Sequence, residues 1–335
     1  MRTLLAGLAV AWVLSSIAGC ELFDRNRSAA TPASPQPTIS VDEQEEILAD
    51  AEAARESGDY QTALALFREI LARNPTVTTA YLGIGDIFME QGDPARAEPN
   101  FARAARLEPR NFEAQFKHGN ALQLLRRFVE AIRAYHRALV IRPDSSEVNL
   151  SIATTYFEMG EADSARIFAE KAVELAPEAG SARINLGAVY DKLGMWNEAI
   201  ETYRIALELV EPTPEVILNL VKALGEAERY REMIDAAETL NRLEPTANAY
   251  ERIGYGWFKL RDYEKSVEAY NRAVEIDPNN WPSWNGIGCN AVNQWLLSKK
   301  RDDQAKAEAS AALRRSLRIN PDQRSVVELV TTYQL

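Results

Sequence analysis

The side chains able to do chemistry are few and scattered. His118 and His136 are the only histidines, and neither has a second ligand nearby at the spacing of a metal site. His118 falls on a helix-packing position. Gly83-Ile-Gly85, Gly254-Tyr-Gly256 and Gly286-Ile-Gly288 begin like phosphate-cradling loops. None completes a dinucleotide fingerprint and none follows a strand. There is no phosphate loop, nucleophile elbow or zinc-protease helix. The 49 acidic side chains outnumber 38 basic ones, and on helices such an excess forms a solvated face. The expectation is a chain that is not an enzyme, with no catalytic residue, no metal and no cofactor.

What must position any functional residue is a set of helices, announced by period. Proline recurs at Pro75, Pro109, Pro143 and Pro177, three steps of 34 residues, and then at Pro212, Pro245, Pro278 and Pro321. A fixed period of this length marks stacked repeats. Counting position 1 at Thr78, position 8 is Gly85, Gly119, Ala153 and Gly187. Position 20 is Ala63, Ala97, Ala131, Ala165 and Ala199, and position 27 is Ala104, Ala138, Ala172 and Ala206. Large residues hold position 11 (Phe88, Leu122, Tyr156, Tyr190) and position 24 (Phe67, Phe101, Tyr135, Tyr203). Each repeat therefore predicts two short amphipathic helices, a small residue on one letting the other approach while an aromatic fills the space beside it. Gly58, Gly92, Gly160 and Gly194, at position 15, suit a positive φ that ends the first helix. The proline ends the second, since the residue before it is driven out of helical geometry.

This pattern resembles the tetratricopeptide repeat. The resemblance covers residues 44–321 as about eight repeats. It implies an all-α fold, a right-handed superhelix of helix-turn-helix units. Repeat six, Pro214 to Thr246, departs by placing Val221, Met233 and Leu240 where others have small residues, so its packing should differ locally. The last proline step, Pro278 to Pro321, is 43 residues, with the surplus in Asn293 to Ala307, which predicts a lengthened final helix pair. In residues 322–335, Val326, Leu329, Val330 and Tyr333 share one helical face and predict a capping helix over the end of the stack.

The first nineteen residues carry one positive charge, Arg2, an apolar run from Leu4 to Val13, then small residues, as in a secretory signal. Leu14-Ser-Ser-Ile-Ala-Gly-Cys20 resembles the lipobox of bacterial lipoproteins. The resemblance implies lipid on the Cys20 thiol, cleavage after Gly19 and acylation of the new amino terminus. A single acyl chain holds a protein only marginally, at about 0.8 kcal/mol per buried methylene, so two or three would anchor it stably. Glu21, in place of the aspartate usual for inner-membrane retention, implies the periplasmic face of an outer membrane. Residues 20–43, rich in Ser, Thr, Pro, Ala and Gln, cannot form a core and predict a tether spanning on the order of 25 Å.

Loss of residues 1–19 moves the net charge from −11 to −12, because only Arg2 is removed. So acidic a domain offers no footprint for nucleic acid, and touches membrane through its lipid alone. If Cys20 is acylated, Cys289 is left without a disulfide partner.

The resemblance implies that the first helix of each repeat lines a concave groove for a protein or extended peptide. Position 5 supplies Leu82, Phe116, Leu150, Ile184 and Leu218, a stripe that serves either packing between repeats or the groove. Position 6 supplies Lys117, Ser151, Asn185, Asn219 and Arg252, and position 9 adds Asn120 and Lys222. A side-chain amide both donates and accepts, so Asn185 and Asn219 could hold successive peptide units. This is similar to the asparagine ladder of some tetratricopeptide grooves, with two rungs only. Lys117 with Asn120, or Asn219 with Lys222, could hold a carboxylate, although the full carboxylate-clamp pattern is not matched. Aromatic residues crowd the C-terminal repeats. Trp257 and Trp284 fall on core positions, whereas Trp281 and Trp295 lie outside them and form either a second interface, including one between copies of the chain, or extra packing of the long repeat. The function implied is a membrane-anchored scaffold or adaptor in the bacterial cell envelope; the alternative is a chaperone-like carrier of unfolded or lipidated clients. Similar lipoproteins serve pilus or secretin assembly, outer-membrane protein insertion and control of cell-wall enzymes.

Overall fold

The computed structural model describes residues 39–335. The signal at 1–19, Cys20 and the tether as far as residue 38 lie outside the described residues. Among the described residues there are seventeen helices and no strand. Four hairpins come first: α1 (Val41–Glu56) with α2 (Tyr60–Arg73), α3 (Thr78–Glu90) with α4 (Pro94–Leu107), α5 (Phe112–Leu124) with α6 (Phe128–Ile141), and α7 (Ser146–Met159) with α8 (Ala162–Leu175). Four more follow: α9 (Gly180–Lys192) with α10 (Trp196–Leu209), α11 (Pro214–Glu226) with α12 (Tyr230–Leu243), α13 (Ala247–Lys259) with α14 (Tyr263–Ile276), and α15 (Trp281–Leu297) with α16 (Asp303–Ile319). A single helix, α17 (Arg324–Tyr333), closes the stack.

The helix ends follow local chemistry. Ser40 accepts the Glu43 amide and starts α1 at Val41, three residues earlier than position counting places the first repeat. Asp59 and Asp93 cap α2 and α4 in the same way, and Asn111 and Ser145 cap α5 and α7. Gly58, Gly92, Gly160 and Gly194 all have φ between 71° and 82°. Arg126, Glu228 and Arg261 adopt the same left-handed geometry at the same position without being glycine. The residues before the prolines (Asn74, Glu108, Arg142 and Ala176) leave helical geometry, with ψ from 77° to 94°.

The small-and-large pairing makes the core. The alanines at positions 20 and 27 are fully buried, and so are Phe67, Phe101, Tyr135 and Tyr203 to within 1%. Each such ring contributes about 1.5–3 kcal/mol by leaving water. A methyl on Gly85 would collide with Phe101 and one on Gly119 with Tyr135, while on Gly187 it would stand 2.6 Å from Tyr203. The glycine pairs that looked like loop fragments are therefore packing contacts: Gly83 and Gly85 face Phe67 and Phe101, Gly254 and Gly286 face Tyr270, Gly256 meets Ile234 and Met233, and Gly288 meets Leu313. Repeat six reverses the sizes: Val221, Met233 and Leu240 are buried, and the aromatic position is taken by the fully buried Ala237. The bulk of the missing ring is redistributed, to Val221 on α11 and to Met233 and Leu240 on either side of Ala237 on α12.

α15 and α16 are 17 residues each, against 13 and 14 in the preceding pair. α17 lays Val326, Leu329, Val330 and Tyr333 on Ala291, Val292, Ala309 and Leu313. Trp257 and Trp284, expected in the core, are only half-buried. An indole N–H needs an acceptor, and Trp284 Nε1 finds it in the Pro278 carbonyl at 3.0 Å, at the rim. Lys265 lies over Trp257, 4.3 Å from the ring centre, on its open side.

Candidate functional site

Successive first helices approach one another in the pairs α1–α3, α5–α7, α7–α9, α9–α11, α11–α13 and α13–α15. No two successive second helices come comparably close among the described residues, so the first-helix face is the inside of the curve.

On that face, position 9 of one repeat stands against position 6 of the next, 30 or 31 residues later. The first rung is an ion pair: Lys117 Nζ is 2.6 Å from Asp86 Oδ2 and 2.6 Å from Glu113 Oε1. Burial works to lower the Lys117 pKa, but its two carboxylate partners outweigh it and hold the ammonium charged. Burial pushes the Asp86 carboxyl up, with Lys117 opposing. In the second rung, Asn120 Oδ1 lies 2.8 Å from the Tyr135 hydroxyl, which shares its one proton with Gln123 Oε1, also at 2.8 Å. Ser151, facing it, is half-buried. The third rung is a hydrogen bond, Asn185 Nδ2 donating to Thr154 Oγ1 at 2.9 Å and leaving Asn185 Oδ1 buried with no donor. Lys117, Asn120 and Asn185 are thus engaged within the stack.

The remaining rungs are open. Opposite Asn219 the sequence has Ala188, which offers no polar group, so Asn219 makes no side-chain bond across the rung. Opposite Arg252 stands Lys222, a like charge. Lys222 turns back to Asp191 Oδ2 at 2.6 Å, and Arg252 Nε lies 3.2 Å from Glu251 of its own helix. These groups surround a hollow of about 330 Å³ between α11, α13 and the start of α15, completed by Leu218, Asn248 and Pro282. Burial pushes the Glu251 carboxyl up, and Arg252 only partly opposes it. The apolar stripe is graded along the stack: Leu82 is 6% exposed in the core, whereas Leu218 is 40% exposed at the hollow. It serves packing at one end and the groove face at the other.

The structure therefore brings Asn219, Lys222 and Arg252 together and keeps Lys117, Asn120, Ser151 and Asn185 along the earlier rungs. Position-by-position reading overlooked Asn248 and Glu251; reading positions 9 and 6 as pairs would have singled out the open rungs. It also overlooked a recurring clasp. At position 4 of four repeats, Tyr81, Gln115, Arg183 and Trp284 each donate to the carbonyl of the proline six residues before. Of the second-interface candidates, Trp281 is 37% exposed, but Trp295 is 6% exposed and meets Tyr333 of α17 edge-on at 5.9 Å. The cap covers it, so Trp295 is packing for the long repeat rather than an exposed anchor.

His118 Nε2 lies 3.3 Å from Glu98 Oε1, and burial holds its pKa below the usual histidine range. His136 meets Phe168 edge-on at 5.8 Å. Burial pushes the Cys289 thiol up, away from the thiolate. Among the described residues no group of three or more His, Cys, Asp or Glu could hold a metal ion, and no helix is long and apolar enough to cross a membrane.

Sequence profiles described as tetratricopeptide repeat match residues 48–93, 82–146, 146–178, 182–216 and 247–280. Small glutamine-rich tetratricopeptide repeat-containing protein 2 of Mycosarcoma maydis is 30% identical over 118 residues, 35% of this chain and 34% of that protein. The Hsp70-Hsp90 organizing protein of Triticum aestivum is 24% identical over 174 residues, 51% of this chain and 28% of that protein. The chain thus spans about a third or less of the length of these curated relatives. Among solved structures, the C-terminal part of a TPR repeat-containing protein from Cytophaga hutchinsonii superposes with a TM-score of 0.62 at 16% identity, over 72% of this chain and 99% of that one. The pilF protein of Pseudomonas aeruginosa superposes with a TM-score of 0.52 at 18% identity, over 60% of this chain and 92% of that one. At such identities the likeness is one of fold. The profile matches cover more than half of the chain, which belongs to the tetratricopeptide repeat family.

Proposed function

We propose that this tetratricopeptide repeat protein is a non-catalytic scaffold that holds an extended segment of a partner protein against its first-helix face, at α11 to α15. The observation that carries the reading is the change from closed to open rungs along the groove. Asn219 offers a donor and an acceptor to a peptide backbone, and Asn248, whose Oδ1 accepts from Asn280, offers a donor. Leu218 offers an apolar contact, and Arg252 offers charge to a carboxylate beside Lys222, which Asp191 holds. The wheat relative's name is that of an organizer of two other proteins, a role of the same class.

The scaffold is anchored, in this reading, by lipid on Cys20 and works in a bacterial envelope, at the periplasmic face of the outer membrane. The support is the run Leu14-Ser-Ser-Ile-Ala-Gly-Cys20 and the polar stretch behind it, which would let the repeats stand off the bilayer.

In-cell photo-crosslinking from Asn219 and Arg252, with Asn185 as the closed-rung control, tests the groove. One dominant adduct from Asn219 and Arg252 is expected. A smear of many envelope proteins would point instead to a carrier of unfolded clients, and adducts from Asn185 alone would sink the open-rung site. For the anchor, Cys20→Ala should remain unacylated and uncleaved; normal maturation of that variant would remove the lipoprotein reading.

A further inference from the structure

A second hollow, of about 480 Å³, lies apart from the groove, where the last repeat turns from α15 into α16. Val267 of α14 and Ile287, Ala291 and Leu297 of α15 wall it. The extension of the last repeat builds it. A first helix of 13 residues, the length of α13, would end four residues short of Leu297. Leu297 is instead carried out over α14 and left 75% exposed.

Asn290, which also lines this hollow, is 4% exposed. Its Nδ2 donates to Ser266 Oγ at 3.0 Å and to the Gly286 carbonyl at 2.9 Å. A carbonyl only accepts, so the amide orientation is set and Oδ1 is left with no donor. Glu264 and Glu308 stand exposed at the rim, and neither forms an ion pair among the described residues.

We propose that this hollow seats an aliphatic side chain of a partner protein's segment flanked by lysine or arginine. The side chain fills the apolar walls, and the flanking cations meet Glu264 and Glu308. The acidic rim selects against fatty acids and phosphate headgroups, which would bring like charge to it. The site is independent of the open rungs, so either can fail without the other.

The test follows the methyl resonances of Val267, Ile287 and Leu297 in the full chain. The probes are three peptides, acetyl-Lys-Leu-Leu-Lys-amide, acetyl-Glu-Leu-Leu-Glu-amide and acetyl-Lys-Ser-Ser-Lys-amide, together with n-octylamine. Only the first peptide should shift these methyls saturably and displace n-octylamine. Reversing both rim charges, Glu264→Lys with Glu308→Lys, should weaken it roughly tenfold, and Leu297→Asp should weaken it with no loss of melting temperature. Equal response to the three peptides would overturn the proposal, as would affinity untouched by charge reversal. Saturation by n-octylamine that the first peptide cannot displace would also overturn it, making the occupant a small amphiphile.

Discussion

The regular repeats around α3 to α6 and the irregular ones from α11 to α16 solve the same packing problem differently. In the former, glycine on the first helix receives an aromatic ring from the second, and polar groups on the inner face close onto the neighbouring repeat. In the latter, α11 and α12 exchange large for small at Val221, Met233, Ala237 and Leu240, and the inner face opens at Asn219 and Arg252. The difference teaches that regularity in this stack consumes polar capacity. Where Asp86 or Thr154 faces its partner, the groove residue is a structural strut; where Ala188 or Lys222 does, no bond crosses the rung.

Substitutions that probe this contrast fall in a clear order of size. Met233→Ala should cost about 2–5 kcal/mol in urea unfolding, because the inverted repeat has no other residue placed to fill the space. A cost below about 1 kcal/mol would mean that α11 and α12 pack loosely and the exchange of sizes is not a real core. Gly119→Ala should cost about 1–3 kcal/mol by driving a methyl into the Tyr135 ring. Gly225→Ala, whose methyl would meet only the flexible Met233 sulfur at 3.0 Å, should be close to neutral, since alanine's better helix propensity offsets the contact. Equal costs at the two glycines would erase the distinction between the regions.

Charge at the open hollow gives a smaller, pH-dependent effect. Burial raises the Glu251 pKa above its value of 4.5 in the unfolded chain, so folding favours the protonated carboxyl. Its ionisation penalty is fully present above the raised pKa and disappears as the pH falls to 4.5 and below. Glu251→Gln should therefore raise the melting midpoint at pH 7, and the gain should shrink as the pH approaches 4.5. Glu232 behaves oppositely. Arg229 and Arg204 hold its pKa down at about 2, so its contribution is present above 4.5 and is lost as the pH falls from there toward 2. Glu232→Gln should flatten that acid limb, modestly, because the pair is partly exposed. The smallest effect is expected at the regular end: Arg126→Gly should gain up to about 1 kcal/mol by relieving a non-glycine residue at φ 58°.

Much of this fold is legible in the chain. Hairpin boundaries, the left-handed glycines, the buried alanines and the capping face of α17 all follow from period and residue size, which are local properties. Trp257 and Trp284 sit nearer the surface than their positions in the repeat suggest. Position counting treats Trp257 and Trp284 like the tyrosines and leucines of other repeats, but indole is larger and must place an N–H. For Trp295 the sequence left an interface and extra packing both open, and α17, folding back onto the ring through Tyr333, decides for packing.

By itself, then, the sequence determined the repeat, the pairing of helices into hairpins and the small-and-large core positions, because these follow from period and residue size. That the first helices face inward is implied by the resemblance to tetratricopeptide repeats and is seen in the contacts between successive first helices. Only the tertiary structure decided which inward polar residues are free. A side chain's hydrogen-bond capacity is spent by whatever stands opposite it: at the same position of two repeats Lys117 meets Asp86, whereas Asn219 meets Ala188.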